Sequence, residues 1–175
     1  MQHIIIFDSE DGNGKTEIAS ALSRRLTVPY FKYEMEHQCD FGSPHEERFK
    51  LCIQHAMPML QSFMQQTQQS VIFDRAYPSE WVYAKYFNRS TCTMSLRRID
   101  DWHAAHNAKI IIPTRSIAIK TERDHAFITP SVKHGLAKLY REFAKWTKCD
   151  VLFLNVDDED IVRELNDILV WLNAC

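Results

Sequence analysis

Eight consecutive residues, Ser9-Glu10-Asp11-Gly12-Asn13-Gly14-Lys15-Thr16, have the types and spacing to handle phosphate in this 175-residue chain. They match G-x-x-x-x-G-K-[ST] at every fixed position but the first, where Ser9 stands in place of glycine. Glycines let the backbone wrap closely around phosphate oxygens, while successive N–H groups and a following helix N-terminus supply positive potential. The lysine of such a loop reaches the β- and γ-phosphates, and the hydroxyl after it ligates Mg²⁺. The expected ligands are therefore ATP and Mg²⁺. Asp11, Gly12, Asn13, Gly14, Lys15 and Thr16 form the cradle, and Thr16 is a metal ligand.

A second constellation is Asp74-Arg75-Ala76-Tyr77-Pro78-Ser79-Glu80-Trp81-Val82-Tyr83, directly after the apolar run Val71-Ile72-Phe73. In a doubly wound fold the end of that strand opens into the same crevice as the phosphate loop. Arg75 can grip a phosphate with two parallel hydrogen bonds, and Asp74 can hold a magnesium-bound water. A third group of charges, Arg115, Lys120 and Arg123, lies in a stretch rich in charge and poor in period, about 114–130. Such a segment after a strand suits a lid that closes over phosphates and excludes water. Arg123 is the first choice for stabilising the migrating phosphoryl group, with Arg115 and Lys120 beside the ATP phosphates.

These groups need a scaffold, and the hydrophobic pattern supplies one. Short, nearly all-apolar runs at 3–7, 28–33, 71–73, 109–112 and 151–155 read as buried parallel strands. Helical patterns lie between them, from 15 to about 26, over 45–69 with a kink at Pro58, after Pro78, and over 96–108 as a polar surface helix. Two more follow, at about 131–147 and 158–172. Strict alternation of strand and helix predicts an α/β fold: about five parallel strands with helices on both faces, in one domain over 1–175.

Bulk composition narrows the function. A formal charge of −2 and a pI near 6.4 disfavour a protein held on nucleic acid by phosphate contacts. Five scattered cysteines with no C-x-x-C suggest neither a disulfide framework nor a zinc site. His103 and His106, three apart in a polar stretch, read as surface residues. No apolar run approaches a membrane span, and Met1 leads straight into a strand, so a cytoplasmic protein without membrane contact is expected.

The chain resembles the thymidylate kinase-like deoxynucleoside monophosphate kinases, including shorter viral members. Their opening F-E-G-x-D-G-x-G-K-T is similar to Phe7-Asp8-Ser9-Glu10-Asp11-Gly12-Asn13-Gly14-Lys15-Thr16. Their D-R-Y-x-x-S-x-x-x-Y is similar to Asp74, Arg75, Ser79 and Tyr83, with Ala76 in place of the aromatic residue. The resemblance implies the fold of P-loop nucleoside monophosphate kinases with a short lid, and transfer of the ATP γ-phosphate to dTMP or a related, 5-modified pyrimidine monophosphate. It implies that Arg75 holds the acceptor phosphate, Asp11 lies near the acceptor sugar, and Ser79 and Tyr83 line the base or sugar pocket. Gln54, close to where the family carries a base-contacting arginine, is the candidate base reader. Relatives often form homodimers. An alternative is a deoxynucleoside kinase, in which Asp8 stands at the position of the catalytic base; kinases of a modified base hydroxyl in viral DNA and nucleotide-binding switches are others. The candidate catalytic residues are thus Lys15, Arg75, Arg123 and Asp8.

Overall fold

Ile4, Ile5, Ile6 and Phe7 are all apolar because β1 (Ile4–Phe7) is covered on both faces. Alternate side chains of a strand point to opposite sides. Ile4 and Ile6 enter one apolar cluster, and Ile5 and Phe7 enter another. The computed structural model describes residues 3–32, 59, 62–63, 66, 68–89, 91–117 and 129–174. Among these, β1 is followed by α1 (Lys15–Leu26), β2 (Tyr30–Lys32), β3 (Val71–Asp74), α2 (Tyr77–Tyr86) and α3 (Thr93–Ala105). Then come β4 (Lys109–Thr114), α4 (Pro130–Trp146), β5 (Asp150–Asn155) and α5 (Ile161–Ala174).

The described strands form a five-stranded parallel sheet in the order β2-β3-β1-β4-β5. α2, α3 and α4 cover one face through Val82, Leu96, Leu136 and Phe143; α1 and α5 cover the other through Ile18, Leu22, Ile168 and Leu172. The expected parallel sheet between two helix layers is what the structure has. Because β1 lies between β3 and β4, the chain leaves it in both directions and opens a crevice beyond the strand ends. Both motifs flank that crevice. No helix of the described residues is long and apolar enough to cross a membrane.

Several boundaries differ from expectation. β4 runs on to Thr114, through Pro113, because Thr114 still pairs with Asn155 of β5. The helix expected at 96–108 spans Thr93–Ala105 and ends before Asn107, which takes a positive φ of 56°. It is also less of a surface helix than its composition suggests. Asp100 is buried, accepting hydrogen bonds from the Tyr77 hydroxyl (2.8 Å), Arg97 (3.0 Å), the Lys148 N–H (3.0 Å) and Thr147. His103, expected at the surface, is buried too. Its Nδ1 lies 2.8 Å from the Ile99 carbonyl, and burial pulls the imidazole down to about 4. Polar residues can face a core when their partners come from distant parts of the chain. His106 is exposed, as expected.

On α2, burial pushes the Glu80 carboxyl up from 4.5 to about 7, with Thr91 and Arg89 pulling the other way. A carboxyl whose value is raised by folding favours the folded state below about pH 4.5. That contribution is lost as pH rises through 7, where the fold must bury a charge. Glu80→Gln keeps the shape and removes the ionisation. In urea unfolding this variant gains roughly 1–3 kcal/mol over the parent at pH 8, and the two proteins unfold together at pH 4. An unchanged difference between the two pH values would show that Glu80 is not the titrating group.

Candidate active site

The loop between β1 and α1 reverses around two glycines in conformations that side chains resist: Gly12 at φ 94° and Gly14 at φ 67°. Gly14 is also the residue from which α1 starts, so the helix N-terminus and the Lys15 N–H open directly onto the loop. The buried Asn13 side chain fastens the loop to β4, its Nδ2 donating to the Pro113 carbonyl at 2.9 Å. Arg115 fastens it from the end of β4, donating from Nε to the Gly12 carbonyl (3.2 Å) while pairing with Glu159 (2.8 Å). The expected ATP-side residue Arg115 is thus beside the loop and supports its backbone. Ser9, in the first glycine position, is buried, and its hydroxyl donates to the Glu10 carbonyl (3.0 Å).

Across the crevice, Arg75 occupies the left-handed region at φ 71°, strained for a residue with a Cβ. It is held there from several sides. Its N–H donates to the Phe7 carbonyl (2.8 Å), and its guanidinium donates to the Ser79 hydroxyl (3.0 Å) and pairs with Asp11. Asp8 secures the turn that follows. Its carboxylate accepts from the N–H groups of Ala76 (3.2 Å) and Ser79 (2.9 Å), the Ser79 hydroxyl (2.6 Å) and the Tyr140 hydroxyl (2.8 Å). Asp8 is 0% exposed, and burial raises its carboxyl above the usual range against the pull of Arg75 and these donors. Ser79 therefore bridges Asp8 and Arg75. The Tyr83 ring faces the Arg75 guanidinium at 5.9 Å, and its buried hydroxyl has no hydrogen-bond partner among the described residues.

The two sides meet at Asp11. Its Oδ1 takes Lys15 Nζ at 2.9 Å and also the Arg75 guanidinium. Burial pushes the Asp11 carboxyl up, but Arg75 and Lys15 together hold it below the usual range, with Lys133 assisting. Burial lowers the Lys15 ammonium, Arg75 lowers it further, and Asp11 opposes both. Lys133 on α4 was not singled out in the sequence. It is 1% exposed, and its spacing to Leu136 and Tyr140 puts it on the apolar stripe of an amphipathic helix, a signal that could have found it. Tyr140, likewise unassigned, is the donor that ties α4 to Asp8.

The loop motif raises the expectation of Mg²⁺ beside a nucleotide, and the donor set suits a divalent cation. The Thr16 hydroxyl lies 2.6 Å from Asp74 Oδ2, whereas Asp74 Oδ1 is buried with no hydrogen-bond partner among the described residues. That leaves a hydroxyl and a carboxylate oxygen beside the phosphate loop. Mg²⁺ takes few protein ligands, keeping waters and phosphate oxygens for the rest. Among the described residues, no group of three or more His, Cys, Asp or Glu could hold a metal ion. Gln54, Lys120 and Arg123 lie outside the described residues, as does 118–128 of the expected lid.

No family model and no curated protein matches the chain. Solved structures match it over nearly its whole length. The YorR protein of Bacillus subtilis, in complex with phosphorylated GDP, is 22% identical, with a TM-score of 0.69 over 97% of this chain and 95% of that one. Thymidylate kinase from Ehrlichia chaffeensis is 15% identical, with a TM-score of 0.69 over 98% and 100%. Deoxyadenosine kinase from M. mycoides, with dCMP and dCDP as products, is 20% identical, with a TM-score of 0.61 over 98% and 99%.

Proposed function

We propose that this protein, which has the fold of the P-loop nucleotide kinases, transfers the ATP γ-phosphate to a deoxynucleoside monophosphate. The acceptor class is that of the sequence resemblance, dTMP or a 5-substituted pyrimidine relative. The observation that carries the reading is the meeting of Lys15 and Arg75, from opposite sides of the crevice, on the single carboxylate of Asp11. One cation belongs to the phosphate loop. The other stands where a second phosphate-bearing ligand would need its own partner.

Phosphoryl transfer depends on positioning and charge neutralisation more than on covalent chemistry from the protein. An acceptor phosphate oxygen attacks the γ-phosphorus, the bond to the β,γ-bridging oxygen breaks, and ADP departs with the negative charge. Lys15 and the loop N–H groups neutralise that growing charge, and Arg75 orients the attacking phosphate. Thr16 and Asp74 would hold Mg²⁺, which supplies further neutralisation of the phosphates. Arg123 and Lys120 are the proposed lid cations. Asp11 carries the acceptor-side role, exchanging its hold on Arg75 for contact with the sugar.

Asp8 separates this reading from its rival. A nucleoside hydroxyl needs a base to take its proton, and Asp8 occupies the position for one. Its carboxylate is fully buried and already accepts from Ala76, Ser79 and Tyr140. We assign it the positioning of α2 and Arg75 in place of the catalytic role expected from the sequence. A phosphate acceptor needs no base, because its second ionisation lies near pH ~6. ATP consumption measured against nucleosides, nucleoside monophosphates and DNA tests this. Release of ADP is expected with a pyrimidine deoxynucleoside monophosphate alone, and turnover of a nucleoside at a comparable rate would reverse the order of the two readings.

A further inference from the structure

Two hydroxyls converge on one oxygen of Asp74. Thr16, in the first turn of α1, donates to Oδ2 at 2.6 Å, and Tyr30, on the neighbouring strand β2, donates to the same Oδ2 at 3.0 Å. Tyr30 is set by its strand: it pairs in register with Ile72, two residues before Asp74, and its ring packs against the apolar layer beneath α1. Asp74 is 1% exposed, and its other oxygen, Oδ1, has no hydrogen-bond partner among the described residues. A buried carboxylate oxygen left without a donor is costly unless something that donates or carries positive charge arrives there.

We infer that Tyr30 is a positioning residue for the metal: by holding Oδ2 it leaves Oδ1 as the oxygen that receives a Mg²⁺-bound water. This rests on the reading of the crevice as a nucleotide-kinase site. Thr16 must offer a lone pair to the cation while its proton stays on Asp74, so it cannot by itself fix the rotation of the carboxylate. Tyr30, approaching from a different strand, supplies the second point that fixes it. Partners of this kind orient a metal's ligands, and their loss typically weakens metal binding by 10- to 100-fold. Neither sequence motif contains Tyr30, since the hydroxyl reaches the site across a strand neighbour 44 positions away in the chain.

The test is calorimetric and needs no turnover. Binding of a non-hydrolysable ATP analogue is measured with and without Mg²⁺ for the parent, Tyr30→Phe, Asp74→Asn and the double variant. The factor by which Mg²⁺ tightens the analogue is the readout, and the metal-free affinity of each variant reports whether its phosphate loop is intact. The expected result is that Tyr30→Phe loses about 10-fold of that factor with metal-free affinity unchanged. Asp74→Asn loses at least as much, and the double variant loses no more than Asp74→Asn alone. If Asp74→Asn loses the factor and Tyr30→Phe keeps it, Asp74 serves the metal without Tyr30 and the inference is overturned. If Asp74→Asn keeps it, the metal reading at Thr16 and Asp74 falls, and the role of Tyr30 falls with it.

Discussion

Replacing Lys15 with alanine lowers turnover by at least ~10²-fold and leaves the protein folded. The side chain is almost fully buried, and its ammonium meets Asp11 at 2.9 Å inside the phosphate loop. A cation in such a place acts on charge that develops as the β,γ bond breaks, and the low-dielectric surroundings magnify the effect. Folding does not depend on it to the same degree. Burial already works against the Lys15 charge, and Asp11 keeps Arg75 as a partner when the ammonium is gone. Steady-state kinetics against ATP, together with a thermal melt, separate the two effects. Activity within a few-fold of the parent, in a folded protein, removes the phosphate-loop reading.

Arg75→Ala weakens binding of the acceptor monophosphate by about 2–5 kcal/mol and leaves thymidine binding nearly unchanged. A phosphate dianion in a desolvated crevice needs a charge-assisted partner, and Arg75, held in a strained backbone conformation with its guanidinium on Asp11, is the residue proposed for it. Its neighbours do not substitute for it. Of the groups against its guanidinium, Ser79 and Tyr83 are neutral and Asp8 and Asp11 are carboxylates. Lys15, across Asp11, is assigned to the ATP side. A nucleoside brings no dianion, so the substitution has little to remove. Calorimetry with both ligands, in the presence of a non-hydrolysable ATP analogue, gives the comparison. If the parent binds thymidine as tightly as its monophosphate, the deoxynucleoside kinase reading takes first place, and Asp8 must then leave its partners on α2 to serve as base.

Local sequence determined the phosphate loop, the five strands and the order of strand and helix. Each of these is a short-range property: glycines at fixed spacing from a lysine, apolar runs of strand length, helical periodicity between them. The pairing order that puts β1 between β3 and β4 follows from general rules of α/β folds, and with it the meeting of Lys15 and Arg75 in one crevice was within reach. Other features were decided only by the tertiary structure. The sheet and α4 bring Asp8 to Ser79 and Tyr140, 71 and 132 positions along the chain. Strand pairing brings Tyr30 to Asp74. Packing of α3 buries Asp100 and His103 in a stretch whose composition reads as surface. A polar side chain gives the same one-dimensional signal whether it meets water or a distant partner. The free energy that separates the two cases comes from desolvation and from hydrogen bonds to residues far away in the sequence, and it exists only once the layers have packed.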